Sequence, residues 1–220
     1  SAIKLARKFS FDQGHPERNE IITMHNSFHG RTLGALSATA QKKFHTGFQP
    51  LLPGFKYVPF NNIQAVKKAI NKKTCAVLVE PIQGEGGVNV PDPSYLKNLK
   101  SLCKKNDLLL IFDEVQTGFG RTGKLFAHEI FKTKPDIMTL AKALGGGVAI
   151  GALAATDRVM KSFVPGTHAA TFGGNPLSCA AALATLKVIT GKGFLKKASE
   201  TGKYFYKCLK DLENQNSLIK

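Results

Sequence analysis

Short apolar runs alternate with longer amphipathic stretches along this chain. The runs IITM (21 to 24), FKYVPF (55 to 60), CAVLVE (75 to 80), LLLIFD (108 to 113), DIMTLA (136 to 141) and GALAAT (151 to 156) read as strands. Stretches 62 to 72, 93 to 106, 176 to 190 and 194 to 214 read as helices. This alternation predicts an α/β domain with a mostly parallel sheet flanked by helices. Several runs are polar only at their carboxyl ends, the edge at which open α/β sheets bind ligands. Glu80 and Asp113 are therefore expected at the mouth of a crevice.

Asp92 followed by Pro93 is a start signal for the helix at 93 to 106. Gly191-Lys192-Gly193 interrupts the helical pattern before a lysine-rich helix. That break separates a main domain, 1 to 190, from a segment, 191 to 220, expected to begin a smaller second domain. At the start, SAIKLARKFS places Ile3, Leu5, Ala6 and Phe9 on one face with no N-cap before them. It reads as the tail of a helix entered midway, and the natural protein is expected to begin upstream of Ser1.

With 220 residues and 43% hydrophobic content, the chain can bury one substantial core. A formal charge of +16, from 31 Lys and Arg against 15 Asp and Glu, would by itself suggest an acidic partner. The lysines, however, fall in scattered pairs such as Lys67-Lys68 and Lys104-Lys105, without a long basic run or interleaved aromatics. A solvated surface fits them better than a nucleic-acid site. Cys75, Cys103, Cys179 and Cys208 lack metal-finger spacing and the histidines lack H-E-x-x-H, so no metal site is expected. No stretch approaches the ~20 apolar residues that span a bilayer, and no signal-peptide pattern opens the chain. A cytoplasmic protein with reduced thiols and no membrane partner is the expectation.

Two glycine patterns overlap in GFGRTGK (118 to 124). As G-x-G-x-x-G it invites a dinucleotide site, but Asp113 to Thr117 separate it from the strand and no helix clearly opens at Gly123. As G-x-x-x-x-G-K it invites a phosphate loop, but Leu125 stands where magnesium needs a Ser or Thr hydroxyl. A glycine turn beside a solvated Lys124 is the better local reading.

The residues around these glycines carry more. Asp113 ends a strongly apolar strand, where an unpaired charge is costly to bury, so a cation should face it. Capping of the following turn by Asp113 or Glu114 is the plainer alternative. Lys142 lies between DIMTLA and Ala143-Leu144-Gly145-Gly146-Gly147, where partial desolvation would favour a nucleophilic amine. Its plainer alternative is a strand-end lysine reaching solvent. A lysine amine and a strand-end acid are together the two protein contacts that pyridoxal phosphate requires.

Five blocks then occur in one order: SFHGRTLGALSAT (27 to 39), VEPIQGEGGV (79 to 88), FDEVQTGFGRTG (112 to 123), LAKALGGG (140 to 147) and TFGGNPL (171 to 177). Together they resemble the class III pyridoxal phosphate-dependent aminotransferases over roughly residues 1 to 190. The resemblance implies the large domain of fold-type I pyridoxal phosphate enzymes, with pyridoxal 5′-phosphate as cofactor. It makes Lys142 the residue that joins the cofactor and moves the proton between the substrate carbon and C4′. Asp113 keeps the pyridine nitrogen protonated, Phe28 stacks on the ring, and Val115 and Gln116 line its other side and O3′ edge. Glu80 lies near Gln116 and the ring as a supporting residue. Thr171 resembles the residue that donates its hydroxyl to the cofactor phosphate of a neighbouring subunit, which implies a homodimer with a shared site. Arg31 resembles a binder of substrate carboxylate, and Glu85 a glutamate set against a substrate-binding arginine. Ala170 stands at the substrate edge, where relatives often carry Ser or Gly. His29 in the same block is expected to pack or hydrogen-bond.

The wording of FHGR and GEGG tilts the implied amino donor toward N2-acetylornithine, with 2-oxoglutarate as acceptor, in arginine biosynthesis. Ornithine, succinyldiaminopimelate and 4-aminobutyrate are the alternative donors. The family's phosphate loop before SAIKLARKFS and most of its C-terminal domain have no counterpart here, so the fold is expected to be truncated at both ends and this piece alone poorly active. A reading of another class is a non-catalytic basic fragment that binds an acidic partner, whose hold on a phosphate backbone would weaken steeply with salt.

Overall fold

The computed structural model describes residues 1 to 216 and residue 218; the last residues of the 191 to 220 segment otherwise lie outside the description. The chain runs α1 (Ala2–Asp12), β1 (Glu20–Met24), α2 (Leu33–Ala38), α3 (Lys42–His45), β2 (Phe55–Val58), α4 (Ile63–Ala69), β3 (Thr74–Val79) and α5 (Tyr95–Lys105). It continues through β4 (Leu109–Asp113), α6 (Ala127–Ile130), β5 (Ile137–Leu140), a 3₁₀ turn (Lys142–Gly145), β6 (Ala152–Ala155), α7 (Asp157–Met160), α8 (Pro176–Ile189) and α9 (Phe194–Gln215). Each of the six apolar runs forms a strand.

The strands make one sheet in the order β2-β1-β3-β4-β5-β6. Neighbours from β2 to β5 are parallel, and β6 returns antiparallel to β5. The central strands are apolar from Cys75 to Val79 and from Leu109 to Phe112 because helices cover both faces. Ala76, Leu78, Leu109 and Ile111 face Leu5, Ala6 and Phe9 of α1. Val77, Val79, Leu110 and Phe112 face Val66 of α4 and Leu96 and Leu99 of α5. Because side chains alternate along a strand, Asp113 falls on the same face as Leu109 and Ile111.

The chain passes from β1 outward to β2 and then returns to place β3 on the other flank of β1. Such a reversal opens a crevice at the carboxyl ends of the strands. The loops after β1, β3, β4 and β5 all lead from that edge.

Three details differ from the sequence expectations. Helix α5 starts at Tyr95 after Ser94, so Pro93 precedes the helix, and Asp92 contributes its carbonyl oxygen to the Tyr95 N–H. Helix α4 stops at Ala69 because Ile70 turns extended at φ −63°, ψ 132°. The short helices α2, α3, α6 and α7 carried too few turns to show a period. SAIKLARKFS does form helix, with Leu5, Ala6 and Phe9 buried.

The glycine string 118 to 123 is a series of turns, and α6 opens only at Ala127. Over it lie α8 and the start of α9, whose Ile189 and Leu195 pack with Phe119 and Leu144. Gly123 permits that approach: a Cβ there would stand 3.0 Å from the Cβ of Ser199 and its φ is +81°. Among the described residues no single helix is long and apolar enough to cross a membrane.

Candidate active site

Four strand ends build one cleft. It is lined by Phe28, His29 and Gly30 from the loop after β1, Glu80 and Glu85 after β3, Asp113, Val115 and Gln116 at the end of β4, and Lys142 after β5. Residues more than 110 positions apart in the chain thus meet because parallel strands present the same end.

Asp113 is held from three sides. Its Oδ1 accepts hydrogen bonds from the Val115 N–H at 3.1 Å and from the Thr139 hydroxyl at 3.0 Å. Its Oδ2 lies 2.7 Å from His29 Nδ1. Thr139 is directly opposite Asp113 in the β4–β5 register, so strand pairing itself delivers that hydroxyl. The protein group that faces the carboxylate is the imidazole of His29, and the turn-capping alternative also holds through Val115. Glu114 points elsewhere: fully buried, it accepts the Ala127 and His128 N–H groups and so caps the start of α6.

Lys142 donates to Gln116 Oε1 across the cleft. Its backbone sits at φ +46°, a left-handed conformation that is strained for a residue with a side chain. Strain of this kind persists where the surroundings fix it, and it is concentrated at functional sites. The expectation of partial desolvation is not met: Lys142 is exposed. It leaves β5 in an open turn at the cleft mouth, not between packed layers.

Glu80 is buried at 4% exposure and orders the loop opposite. Its Oε2 accepts the Phe28 N–H at 3.1 Å and its Oε1 the Gly84 N–H at 3.4 Å. Burial pushes the Glu80 carboxyl above its ordinary value of 4.5; His29 and the Phe28 N–H oppose the rise, and Asp113 adds to it. A carboxyl raised in the folded state contributes stability that is complete below 4.5 and is lost as pH rises through its folded value. Denaturant unfolding of the cofactor-free protein should therefore show wild type losing stability relative to Glu80→Gln as pH increases from below 4.5. The reverse trend would mean that the fold holds Glu80 ionised.

Other residues singled out from the sequence lie around or away from this cleft. Arg31 is exposed and stacks over the ring of Phe44 at 4.3 Å and of Phe28 at 5.4 Å. Glu85 is engaged by Gln41 Nε2 at 2.5 Å and Lys43 Nζ at 3.5 Å, and among the described residues it makes no ion pair with Arg31. Its loop can lie this close because Gly86 has no side chain; a Cβ there would overlap the Asn26 carbonyl oxygen at 2.0 Å. Ala170 and Thr171 line a separate open cleft with Gly151, Asn175 and Cys179, and Thr171 is exposed. The structure does not bring Thr171, Ala170 or Arg31 into the cleft that Lys142 lines.

Sequence reasoning gave His29 no more than a packing or hydrogen-bonding role and missed Thr139. For Thr139 the available signal was register: a hydroxyl level with Asp113 on the adjacent strand.

The cleft offers an aromatic face (Phe28), a carboxylate (Asp113), an amide (Gln116) and a primary amine (Lys142) within one space. That donor set suits a cationic aromatic ring bearing a carbonyl, and it has neither the phosphate-loop hydroxyl nor the strand-to-helix glycine turn of a nucleotide site. A family model described as Aminotransferase class-III matches residues 1 to 220. The chain belongs to the class-III aminotransferases. Enzymes of this class use pyridoxal phosphate, and the donor set of the cleft fits that group.

Among class-III relatives, the chain is 54% identical over 220 residues to acetylornithine aminotransferase of Caldanaerobacter subterraneus subsp. tengcongensis, covering all of itself and 56% of that protein. It is 52% identical over 219 residues to acetylornithine aminotransferase of Methanocaldococcus jannaschii, of which it covers 55%. The ornithine aminotransferase from Toxoplasma gondii superposes with a TM-score of 0.91 at 40% identity, over 96% of this chain and 51% of that one. The chain thus spans just over half the length of the curated relatives named here.

Proposed function

We propose that this chain carries the cofactor-binding part of an aminotransferase that moves the amino group of N2-acetylornithine to 2-oxoglutarate in arginine biosynthesis. Residues 1 to 190 would form the pyridoxal phosphate-binding large domain and 191 to 220 the start of the small domain. The observation that carries the reading is the meeting of Lys142 and Asp113, from adjacent strands, in a cleft floored by Phe28 and Gln116.

Pyridoxal phosphate, when bound, supplies a sink for the electron pair left on the substrate carbon when its proton departs. Lys142 Nζ would hold the cofactor covalently and would take and return that proton. Asp113 would present negative charge to a protonated ring nitrogen, and its three hydrogen bonds keep the carboxylate from rotating away. Phe28 would supply a face for the ring and Val115 and Gln116 its other boundary, while Glu80 holds the Phe28 backbone in place. Arg31, with its guanidinium stacked on two aromatic rings and its polar edge in solvent, is suited to a substrate carboxylate. Glu85 and Ala170 would shape the substrate edge. The exposed Thr171, apart from the Lys142 cleft, suits a hydroxyl offered to a second subunit's cofactor phosphate, and so a homodimer with a shared site.

Ornithine is the second candidate donor, favoured by the 40% identity to the Toxoplasma gondii enzyme. A panel of amino donors assayed with the full-length protein and 2-oxoglutarate separates the two. The expected result is a kcat/KM at least about tenfold higher for N2-acetylornithine than for ornithine, a factor within reach of differential pocket contacts. A preference for free ornithine would reject the acetylated donor.

A further inference from the structure

Val115 and Gln116, the two cleft residues that follow Asp113, sit on a turn that is closed twice. The Gly118 N–H reaches the Glu114 carbonyl at 2.9 Å, and the Thr117 hydroxyl reaches Glu114 Oε2 at 2.5 Å. The first bond is an ordinary backbone closure. The second joins side chains on the buried side of the turn, where Glu114 is fully enclosed and Thr117 is 4% exposed. Gln116, between them, is exposed to the cleft. A carboxylate can only accept, and burying one is costly unless its oxygens are satisfied. Glu114 meets that need with the Thr117 hydroxyl and the Ala127 N–H at Oε2 and the His128 N–H at Oε1.

Capping of α6 explains only part of this arrangement. The Ala127 and His128 N–H groups give each carboxylate oxygen a donor without Thr117. What the Thr117 hydroxyl adds is a brace from residue 114 to residue 117, spanning the two residues that face the cleft. The surroundings leave the turn little freedom. Glu114 N–H bonds the Thr139 carbonyl at 3.0 Å, and a Cβ on Gly118 would stand 2.8 Å from the Glu114 carbonyl oxygen. On the cleft side, Gln116 lies against Gly84, where a Cβ would come within 2.7 Å of its Cγ, and its Oε1 accepts from Lys142 Nζ. The Gln116 amide is therefore placed by a turn that is braced from beneath.

We infer that Thr117 is a positioning residue for the amino transfer: its hydroxyl, locked on the buried Glu114 carboxylate, fixes the turn that sets Gln116 against the O3′ edge of the cofactor. This rests on the reading of Gln116 as the boundary of that edge. Thr117 touches neither cofactor nor substrate in this role and acts through Gln116. Serine in its place keeps the hydroxyl, whereas valine keeps the shape and loses the donor.

The test measures the rate at which pyridoxal phosphate leaves the purified full-length holoenzyme, followed by its absorbance during dialysis. Thr117→Val should release the cofactor about tenfold faster, the lower end for loss of a hydrogen bond to a charged group, while Thr117→Ser should stay within about twofold of wild type. In a Gln116→Ala background, Thr117→Val should add less than about twofold, since a residue acting through a missing partner has no further effect. Equal release from the Val and Ser variants, or full additivity with Gln116→Ala, would overturn the inference. If Thr117→Val does not fold, Thr117→Ser and Thr117→Ala decide in its place: wild-type release from the first with about tenfold faster release from the second supports the role, and equal release from the two overturns it. Failure of wild type to take up pyridoxal phosphate at Lys142, or release from Gln116→Ala as slow as from wild type, would instead overturn the functional reading beneath it.

Discussion

Replacing Lys142 with alanine is expected to abolish the absorbance band of lysine-bound pyridoxal phosphate in the full-length protein and to lower turnover by about 10⁴-fold or more, since covalent attachment and proton transfer are lost together. The structure locates this loss in the chemistry and not in the fold. Lys142 is exposed, and its side chain contributes a hydrogen bond to Gln116 and no core packing. Alanine would keep the same φ of +46°, so the backbone strain is unchanged by the substitution. Thermal unfolding of the cofactor-free variant should accordingly match wild type within about 0.5 kcal/mol, the usual range for surface substitutions. An undiminished band in Lys142→Ala, or turnover within about tenfold of wild type, would remove the central residue of the proposed function.

The exposure of Lys142 also bears on how an amine there becomes a nucleophile. Partial desolvation would favour that reactivity, and the open turn does not provide it. What the fold provides is position: an amine at the carboxyl end of β5, hydrogen-bonded to Gln116 from the end of β4. The strained turn fixes the direction in which that amine leaves the backbone.

Much of this arrangement was legible in the chain. Apolar runs locate six strands, and polarity confined to their last residues marks Glu80 and Asp113 as crevice residues. That inference works because strand ends at a parallel sheet's carboxyl edge share one location whatever the connections between them. Contacts that depend on the connections were not legible. His29 reaches Asp113 only because the reversal from β2 to β3 leaves β1 next to β3, with β4 one strand further on. Thr139 supports Asp113 through a register that no local pattern encodes. Thr171 belonged to the same family blocks as Lys142, yet the turns that follow β6 carry it to another cleft. The glycines at 118 to 123 matched a nucleotide pattern for a reason of packing: they let the last two helices lie close above the loop that follows Asp113.

Asp113→Asn is expected to separate binding of the cofactor from its activation. Asparagine keeps the shape of the side chain and an oxygen that can accept from Val115 N–H and the Thr139 hydroxyl, and its amide N–H can donate to His29 Nδ1 once the imidazole proton sits on Nε2, so the local structure has the means to persist. It removes the negative charge, and with it the reason for a ring nitrogen in the cleft to stay protonated. Lys142 remains, so the band of lysine-bound cofactor should still form. Turnover should fall by about 10²- to 10³-fold, the scale on which removal of one preorganised electrostatic partner acts. The loss should lie in kcat more than in KM, because charge on the ring matters most as electrons arrive from the substrate carbon. This pattern differs from that of Lys142→Ala, in which band and turnover vanish together, and the contrast assigns distinct roles to two residues on adjacent strands. Turnover within about threefold of wild type in Asp113→Asn would show that the carboxylate serves only the turn it caps, leaving the amine of Lys142 without the charged partner on which the proposed chemistry depends.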